Sequence, residues 1–184
     1  AAPEVEPARL AARAKLAESG FLAAVQGLGA PLDLDAMEPF SRWITPVVET
    51  RRFDARFFLT EAPAHQEGLA DGEETDSVLW IGARDALSQH AAGELNLLPP
   101  TWMTLSALAA FDSAAEAMAS TRATPTPRVQ PELVSTLGGF TLCFPGDPAH
   151  SVSTQALPGP TRLTLDAGRW RAGSSAASGD RLGD

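Results

Sequence analysis

The chain has 184 residues and a formal net charge of -9, because 14 Lys and Arg residues stand against 23 Asp and Glu residues. That length is enough for one domain with a proper core, or for a domain plus an extension, and the negative charge argues against a nucleic-acid-binding surface. The single cysteine, Cys143, excludes an internal disulfide framework and a cysteine-based zinc site. No apolar run approaches about 18 residues, so the sequence predicts no transmembrane helix, no membrane partner and, by default, a cytoplasmic location.

The first predicted element is an amphipathic helix that begins near Pro7. Apolar residues recur at steps of three and four from Leu10 to Leu28, which is the spacing of one helical face. Gly20 interrupts this pattern at a cost of about 1 kcal/mol, so two shorter helices are the alternative. Two glycines and Pro31 then end the helical pattern.

Two aromatic runs meet across a short polar turn within residues 40–59, which predicts a β-hairpin. Successive residues of a strand point to opposite faces of the sheet. The second run divides in this way into an apolar set and a mostly charged set: Phe53, Ala55, Phe57 and Leu59, and Arg52, Asp54, Arg56 and Phe58. We therefore expect one face of the hairpin to pack on the core and the other to be mostly ionic.

The hairpin is basic although the chain as a whole is acidic. It contains four arginines: Arg42, Arg51, Arg52 and Arg56. Guanidinium groups gathered on one face form a candidate anion site. The alternative is a surface ion ladder in which Asp54 lies between Arg52 and Arg56, an arrangement that contributes little to stability.

The middle of the chain is predicted to hold one strand and two helices. After a polar loop, residues 75–81 have the composition of a third strand. A short helix is expected over residues 83–92. Pro99 then suits the start of a second helix, whose apolar spacing continues to about Ser120.

Composition divides the chain into a main domain, a proline-rich linker, a small β-rich extension and a disordered tail: residues 1–120, 121–131, 132–172 and 173–184. The linker is expected to be extended because prolines recur in it. Within the extension, strands are expected at residues 139–144 and 162–165.

The remaining single residues show no pattern typical of a metal or nucleophile site. The three histidines lack the spacing of a metal triad, so each is expected at the surface: His65, His90 and His150. Cys143 is expected to be a half-buried strand residue. Three tryptophans are expected in the core: Trp43, Trp80 and Trp102.

Two ordered motifs of the hairpin carry a resemblance. Trp43-Ile44-Thr45-Pro46, followed by Arg52-Phe53-Asp54-x-Arg56-Phe57-Phe58, resembles the signature of a Nudix hydrolase branch, the coenzyme A diphosphatases similar to Nudix motif 19. Ala55 stands where bacterial members usually have Thr. The match continues through Glu73-Glu74 and Trp80 to Leu97-Leu98-Pro99-Pro100-Thr101, and it covers roughly residues 32–111.

The resemblance implies an α/β fold, part of a Nudix α/β/α sandwich with a mixed sheet, followed by the small β-rich C-terminal extension. It also implies metal-dependent hydrolysis of a small phosphorylated molecule, a nucleoside diphosphate derivative such as coenzyme A or an acyl-coenzyme A. The positions on or near the substrate side would be Arg52, Arg56, Trp80 and Thr101. Glu73 and Glu74 are candidates for a metal-water ligand or a general base, with a solvated strand start as the alternative.

The catalytic box of this family is missing from the sequence. In the box, several glutamates on one helical face hold Mg²⁺ or Mn²⁺ against the phosphates. The nearest match, residues 13–21, has Ala14 and Ala17 where two carboxylates belong.

Three interpretations of the missing box follow. The chain is first interpreted as the part of a Nudix protein that follows the box, and hence as an incomplete enzyme. The second is a pseudo-Nudix module that binds a nucleotide or a partner without catalysis. A third is a homodimer, in which two copies pair the sheet edges that a missing strand would expose.

Overall fold

The computed structural model of the chain describes residues 20–28, 32–62, 68, 70, 77–136 and 139–173. The chain divides into two compact units, Ala1–Met37 with Thr60–Leu69 and Glu38–Leu59 with Ala70–Asp184. In the described part of the first unit, helix α1 (Phe21–Leu28) begins directly after Gly20, which has a φ of 80°. This start agrees with the two-helix alternative, and the predicted helical residues before Gly20 lie outside the described residues.

The predicted antiparallel hairpin is confirmed, and it consists of two strands: β1 (Glu38–Ile44) and β2 (Asp54–Leu59). Trp43 lies opposite Ala55 on the face that packs on the core. Arg42 lies opposite Arg56 on the other face. The alternation therefore predicted the charged face, and Phe57 and Leu59 of the predicted apolar face pack against the core. Phe53, also predicted on the core face, is 57% exposed.

After the hairpin, the described residues of the second unit form three helices: α2 (Ala83–Ala92), α3 (Pro99–Leu108) and α4 (Ala114–Ala123). Helix α2 and the proline start of α3 agree with the prediction. The prediction of one helix continuing to about Ser120 is wrong, because α3 ends at Leu108. The hydroxyl of Ser113 accepts a 3.1 Å hydrogen bond from the amide of Glu116, and this cap begins a separate helix.

The strand predicted at residues 75–81 is wrong in its described part. Residues 77–82 have no regular structure and pair with no strand among the described residues, and Thr75 and Asp76 lie outside them. A strand is stable only when its backbone groups find a ladder partner, whatever its composition. Trp80 is accordingly 70% exposed and is not a core residue.

A short third strand, β3 (Arg128–Val129), pairs with β1 in parallel, which makes a mixed sheet of order β2-β1-β3. The segment predicted as an extended linker thus contains the end of α4 and a strand of this sheet. The amide of Arg42 also donates to the carbonyl of Pro127 at 2.9 Å.

A second sheet is an antiparallel meander of four strands in chain order: β4 (Glu132–Thr136), β5 (Gly139–Cys143), β6 (Arg162–Asp166) and β7 (Arg169–Ala172). It includes both strands expected in this region. Between β6 and β7, Ala167 and Gly168 form a tight turn with φ angles of 47° and 79°.

One core joins the two sheets and α3 within the second unit. Its buried members come from before and after residue 131: Phe40, Trp43, Met103, Ala107, Val129, Leu142, Phe144, Leu157 and Leu163. Trp43 packs edge-on against Phe144, with ring centroids 6.0 Å apart. The predicted fold class, α/β with a mixed sheet and a β-rich C-terminal part, is confirmed. None of the helices described in this structure is long and apolar enough to cross a membrane.

Two histidines predicted at the surface are buried instead. His90 is 2% exposed; its Nε2 lies 2.7 Å from the carbonyl of Trp170, and its Nδ1 accepts a hydrogen bond from the amide of Leu97. It therefore ties α2 to β7. The His150 side chain is 3% exposed, with Nε2 2.9 Å from the carbonyl of Gln130. His65 lies outside the described residues.

Candidate functional site

A groove of about 770 Å³ is lined by residues of both sheets of the second unit, and it is here called the inter-sheet groove. One wall is the core-facing side of the hairpin, including Trp43, Ala55 and Phe57. The other wall comes from the second sheet, including Phe140 and Leu165. Leu98, Pro99 and Pro100, at the start of α3, contribute the remaining apolar surface.

The lining of the inter-sheet groove is mostly apolar, with charge only at its rim. Phe53, Leu98 and Phe140 are each more than half exposed, although such side chains are normally buried. Large apolar side chains that converge on a groove mark a ligand or partner site. The charged members are Glu49 and Arg51.

Arg51 is the one cation among the described lining residues of the inter-sheet groove. Its guanidinium carbon lies 5.1 Å from the centre of the Phe53 ring, a cation–π contact that holds the charge beside the groove. Sequence reasoning counted Arg51 in the basic stretch but did not select it as a site residue. The signal was its place just before the motif that begins at Arg52.

Arg52, a predicted substrate-binding residue, fastens the tip of the hairpin. Its Nε and Nη2 atoms both donate to the carbonyl of Thr45 at 3.3 Å. The hydroxyl of Thr45 accepts a 2.8 Å hydrogen bond from the amide of Phe53. Arg52 is exposed, so part of its guanidinium faces solvent beside these contacts.

Arg56, the second predicted arginine, lies on the ionic face of the hairpin, away from the inter-sheet groove. Asp54 does not form the ladder with Arg52 and Arg56 that was the sequence alternative. Instead, Arg42 donates to Asp54 from Nε and Nη2 at 2.8 and 2.5 Å, because the register brings these strands together. The hydrogen bonds from Arg42, and the charges of Arg56 and Arg128, lower the pKa of Asp54.

The other predicted site residues are dispersed. Thr101 is exposed in the first turn of α3, next to the two prolines that line the inter-sheet groove. Trp80 lies exposed in the irregular segment before α2. Glu73 and Glu74 lie outside the described residues. Arg52, Arg56, Trp80 and Thr101 are not among the groove's lining residues, so the described structure does not bring them together there.

The acidic side chains and histidines of the described residues do not gather into a metal site. Within the described ranges, no three His, Cys, Asp or Glu side chains converge on one point. A divalent cation held against phosphates needs several hard oxygen ligands together. The described residues therefore do not fit Mg²⁺ or Mn²⁺, and the apolar groove has Glu49 as its sole carboxylate.

A buried arginine–aspartate pair, Arg162 with Asp147, fastens the connection between β5 and β6 to the start of β6. Asp147 accepts hydrogen bonds from Nε and Nη2 of Arg162 at 2.7 and 2.6 Å, from the hydroxyl of Thr161, and from the amide of Ala149. Burial alone would raise the pKa of Asp147, but these donors outweigh it and lower the pKa to about 2. Burial likewise raises the pKa of the Cys143 thiol to about 11, so this cysteine is not a reactive thiolate.

Some known proteins are similar to this chain in sequence and in fold. No family model matches the chain. The acyl-coenzyme A diphosphatase NUDT19 of Gallus gallus is 31% identical over 137 residues, which are 69% of this chain and 36% of that protein. The protein of the same name from Xenopus laevis is 32% identical over 80 residues, 41% of this chain and 21% of its own length.

A solved structure agrees with these relatives. The crystal structure of a Nudix hydrolase from Alicyclobacillus acidocaldarius superposes with a TM-score of 0.53 at 34% identity, covering 59% of this chain and 50% of that one. The chain thus spans about a third of the Gallus gallus protein and half of the bacterial one. Sequence and fold together show that the chain is a Nudix relative similar to NUDT19.

Proposed function

We propose that this chain is the substrate-groove part of a metal-dependent diphosphatase that hydrolyses coenzyme A or an acyl-coenzyme A. Two curated relatives are named acyl-coenzyme A diphosphatases, which supplies the substrate class. The chain lacks the glutamate-rich box in its sequence and a carboxylate cluster in its described residues. By itself, the 184-residue chain is therefore proposed to be an incomplete enzyme.

The observation that carries the proposal is the inter-sheet groove. Its volume of about 770 Å³ is in the range of small-molecule sites, and its lining is mostly apolar. An acyl-coenzyme A has an apolar acyl chain and a diphosphate at the two ends of its pantetheine arm, so an extended site for it needs both apolar surface and a cation. The groove supplies the apolar surface, and Arg51 at its rim supplies a fixed positive charge.

The residues predicted from the sequence retain supporting roles in this proposal. Arg52 and Arg56 would add charge on the hairpin, and Thr101 would contact substrate near the groove, while Trp80 would offer a ring for stacking. Mg²⁺ or Mn²⁺ would neutralise charge on the diphosphate when bound. Its carboxylate ligands would come from outside the described residues, where Glu73 and Glu74 remain candidates. A cytoplasmic location and a homodimer also remain predictions.

A second candidate function is a pseudo-Nudix module that binds a nucleotide or a partner without catalysis. The lack of a carboxylate cluster among the described residues favours it. This candidate shares the groove with the first and differs in the activity of the complete protein. Hydrolysis of coenzyme A by the complete protein would exclude it.

The groove is tested by binding of a long-chain acyl-coenzyme A to Phe140→Ala, with Phe58→Ala as the matched control. Both phenylalanines are about half exposed on strands, but only Phe140 is a lining residue of the groove. We expect about a tenfold weaker affinity for Phe140→Ala, because apolar contact with the acyl chain is lost. Phe58→Ala should bind like the parent. Equal affinity of both variants and the parent would remove the groove from the substrate site.

A further inference from the structure

Three arginines lie side by side across the three-stranded sheet. Arg56 on β2 is the register partner of Arg42 on β1, and Arg42 is the register partner of Arg128 on β3. Register partners on neighbouring strands point to the same face, about 4.7–4.9 Å apart along the hydrogen-bonding direction. We call Arg56, Arg42 and Arg128 the basic row; they lie on the face opposite Trp43.

The basic row carries more positive charge than its neighbours neutralise. Asp54 is the one carboxylate bonded to it within the described residues, and it is bound by Arg42. The charges of Arg56 and Arg128 also lower the pKa of Asp54. Three positive charges against one leave a surplus of about two on a chain whose net charge is -9.

Repulsion acts among the three arginines of the basic row. Like charges directly opposite each other in a sheet are destabilising. Within the described residues, Arg56 makes no hydrogen bond or ion pair, and Arg128 donates from Nη2 to the amide oxygen of Gln130 at 2.7 Å. Both side chains are exposed, so their remaining N–H groups face solvent. Guanidinium forks in this geometry match the oxygens of a phosphate.

A second groove, of about 630 Å³, opens beside Arg128. Its apolar lining includes Val47, Val48 and Val152, and we call it the valine groove. Glu132 also borders the valine groove. Its two carboxylate oxygens already accept hydrogen bonds from the amide and the hydroxyl of Ser151. Arg128 therefore belongs both to the basic row and to a concave, partly apolar surface.

We propose that the basic row binds the phosphates of a small phosphorylated molecule, whose body extends past Arg128 into the valine groove. The proposed function gives Arg56 only a supporting charge, and the inter-sheet groove that carries that proposal lies along the opposite face of the hairpin. The two grooves adjoin, because Pro46, Pro131 and Leu133 line both of them. Phosphate binding by the basic row is independent of the proposed function. Only the further step, that the bound phosphate belongs to the substrate of the proposed diphosphatase, rests on that function.

The test is calorimetric titration of the purified 184-residue chain with inorganic pyrophosphate and with adenosine diphosphate at low ionic strength. The variants are Arg56→Gln and Arg128→Gln, and the matched control is Arg171→Gln. Arg171 pairs with Asp166 on the second sheet at 3.2 Å, so its substitution removes the same charge elsewhere. We expect each row variant to bind pyrophosphate at least about tenfold more weakly, and the control to bind like the parent.

Thermal unfolding without ligand separates binding from a structural role. If the row serves a ligand, Arg56→Gln should be no less stable than the parent, because repulsion is relieved. Pyrophosphate should then raise the melting temperature of the parent and not that of the variant. Equal binding by all four proteins, or no binding by the parent, would overturn the proposal. Loss of stability in Arg56→Gln with unchanged binding would also overturn it. Hydrolysis is not measured, so these results do not depend on the proposed enzyme activity.

Discussion

Two arginine–aspartate pairs of this chain have the same bidentate geometry in opposite surroundings. Arg162 binds Asp147, whose side chain has no exposed surface. Arg42 binds Asp54, and these side chains are 43% and 42% exposed. A buried charge depends on its partner, whereas water can solvate either charge of an exposed pair. The first pair therefore holds the fold, and the second leaves the neighbouring arginines available to a ligand.

The neighbours of each pair strengthen the contrast. Asp147 receives two further hydrogen bonds, from Thr161 and the amide of Ala149, which satisfy its oxygens completely. Asp54 is instead surrounded by two additional positive charges, those of Arg56 and Arg128. The carboxylate of Asp147 therefore has all its hydrogen bonds within the protein. The excess positive charge around Asp54 favours binding of an anion.

The largest expected effect is on Arg162→Ala. Removing Arg162 leaves the Asp147 carboxylate buried without its main partner, which costs about 3–5 kcal/mol. Urea denaturation of the parent and the variant measures this difference. Arg42→Ala is the matched control and should change stability little, because its partner is exposed. A similar loss in both variants would break the comparison.

The pH dependence of stability sharpens the same comparison. The pKa of Asp147 is lowered from 3.8 to about 2 in the folded protein. The stability from its ionised form is present above pH 3.8 and is lost as the pH falls toward 2, a loss of about 2 kcal/mol. Unfolding measured from pH 5 to pH 2 should show this loss. The stability of Asp147→Asn should not show this loss between pH 5 and pH 2. If the variant and the parent lose the same stability over this range, other carboxylates cause the acid sensitivity.

A smaller effect concerns the exposed arginines in a complete enzyme. Arg52→Ala and Arg56→Ala should each raise KM for a coenzyme A substrate by about tenfold, the effect of one lost charge-assisted hydrogen bond. The fold should be retained because both side chains are exposed. Steady-state kinetics of the purified variants give KM and kcat separately. Unchanged kinetics in both variants would make these arginines structural.

Local patterns were sufficient to predict the hairpin and most helices. The alternation around Phe57 and the prolines before Thr101 depend on neighbours in sequence, so they can be interpreted without a structure. The break before α4 was also encoded locally, in Ser113 and Glu116, and was missed. The strand predicted around Trp80 failed because pairing requires a partner that composition does not specify.

The long-range contacts could not be predicted. The burial of His90 depends on the carbonyl of Trp170, on a strand far along the chain. The basic row depends on the register of Arg128 with Arg42, which comes from a short parallel pairing within a predicted linker. The place of Arg51 just before the motif was visible in the sequence, but its position in the lining of the inter-sheet groove depends on residues of the second sheet far along the chain.

The most direct test of the central claim is hydrolysis of coenzyme A by the purified 184-residue chain with Mg²⁺ or Mn²⁺. Release of the adenosine diphosphate product is followed with and without excess chelator, and circular dichroism shows that the sample is folded. We predict no turnover from this chain, with binding of acyl-coenzyme A retained. Chelator-sensitive turnover would contradict the account, because the carboxylates of this chain would then build a metal site of their own.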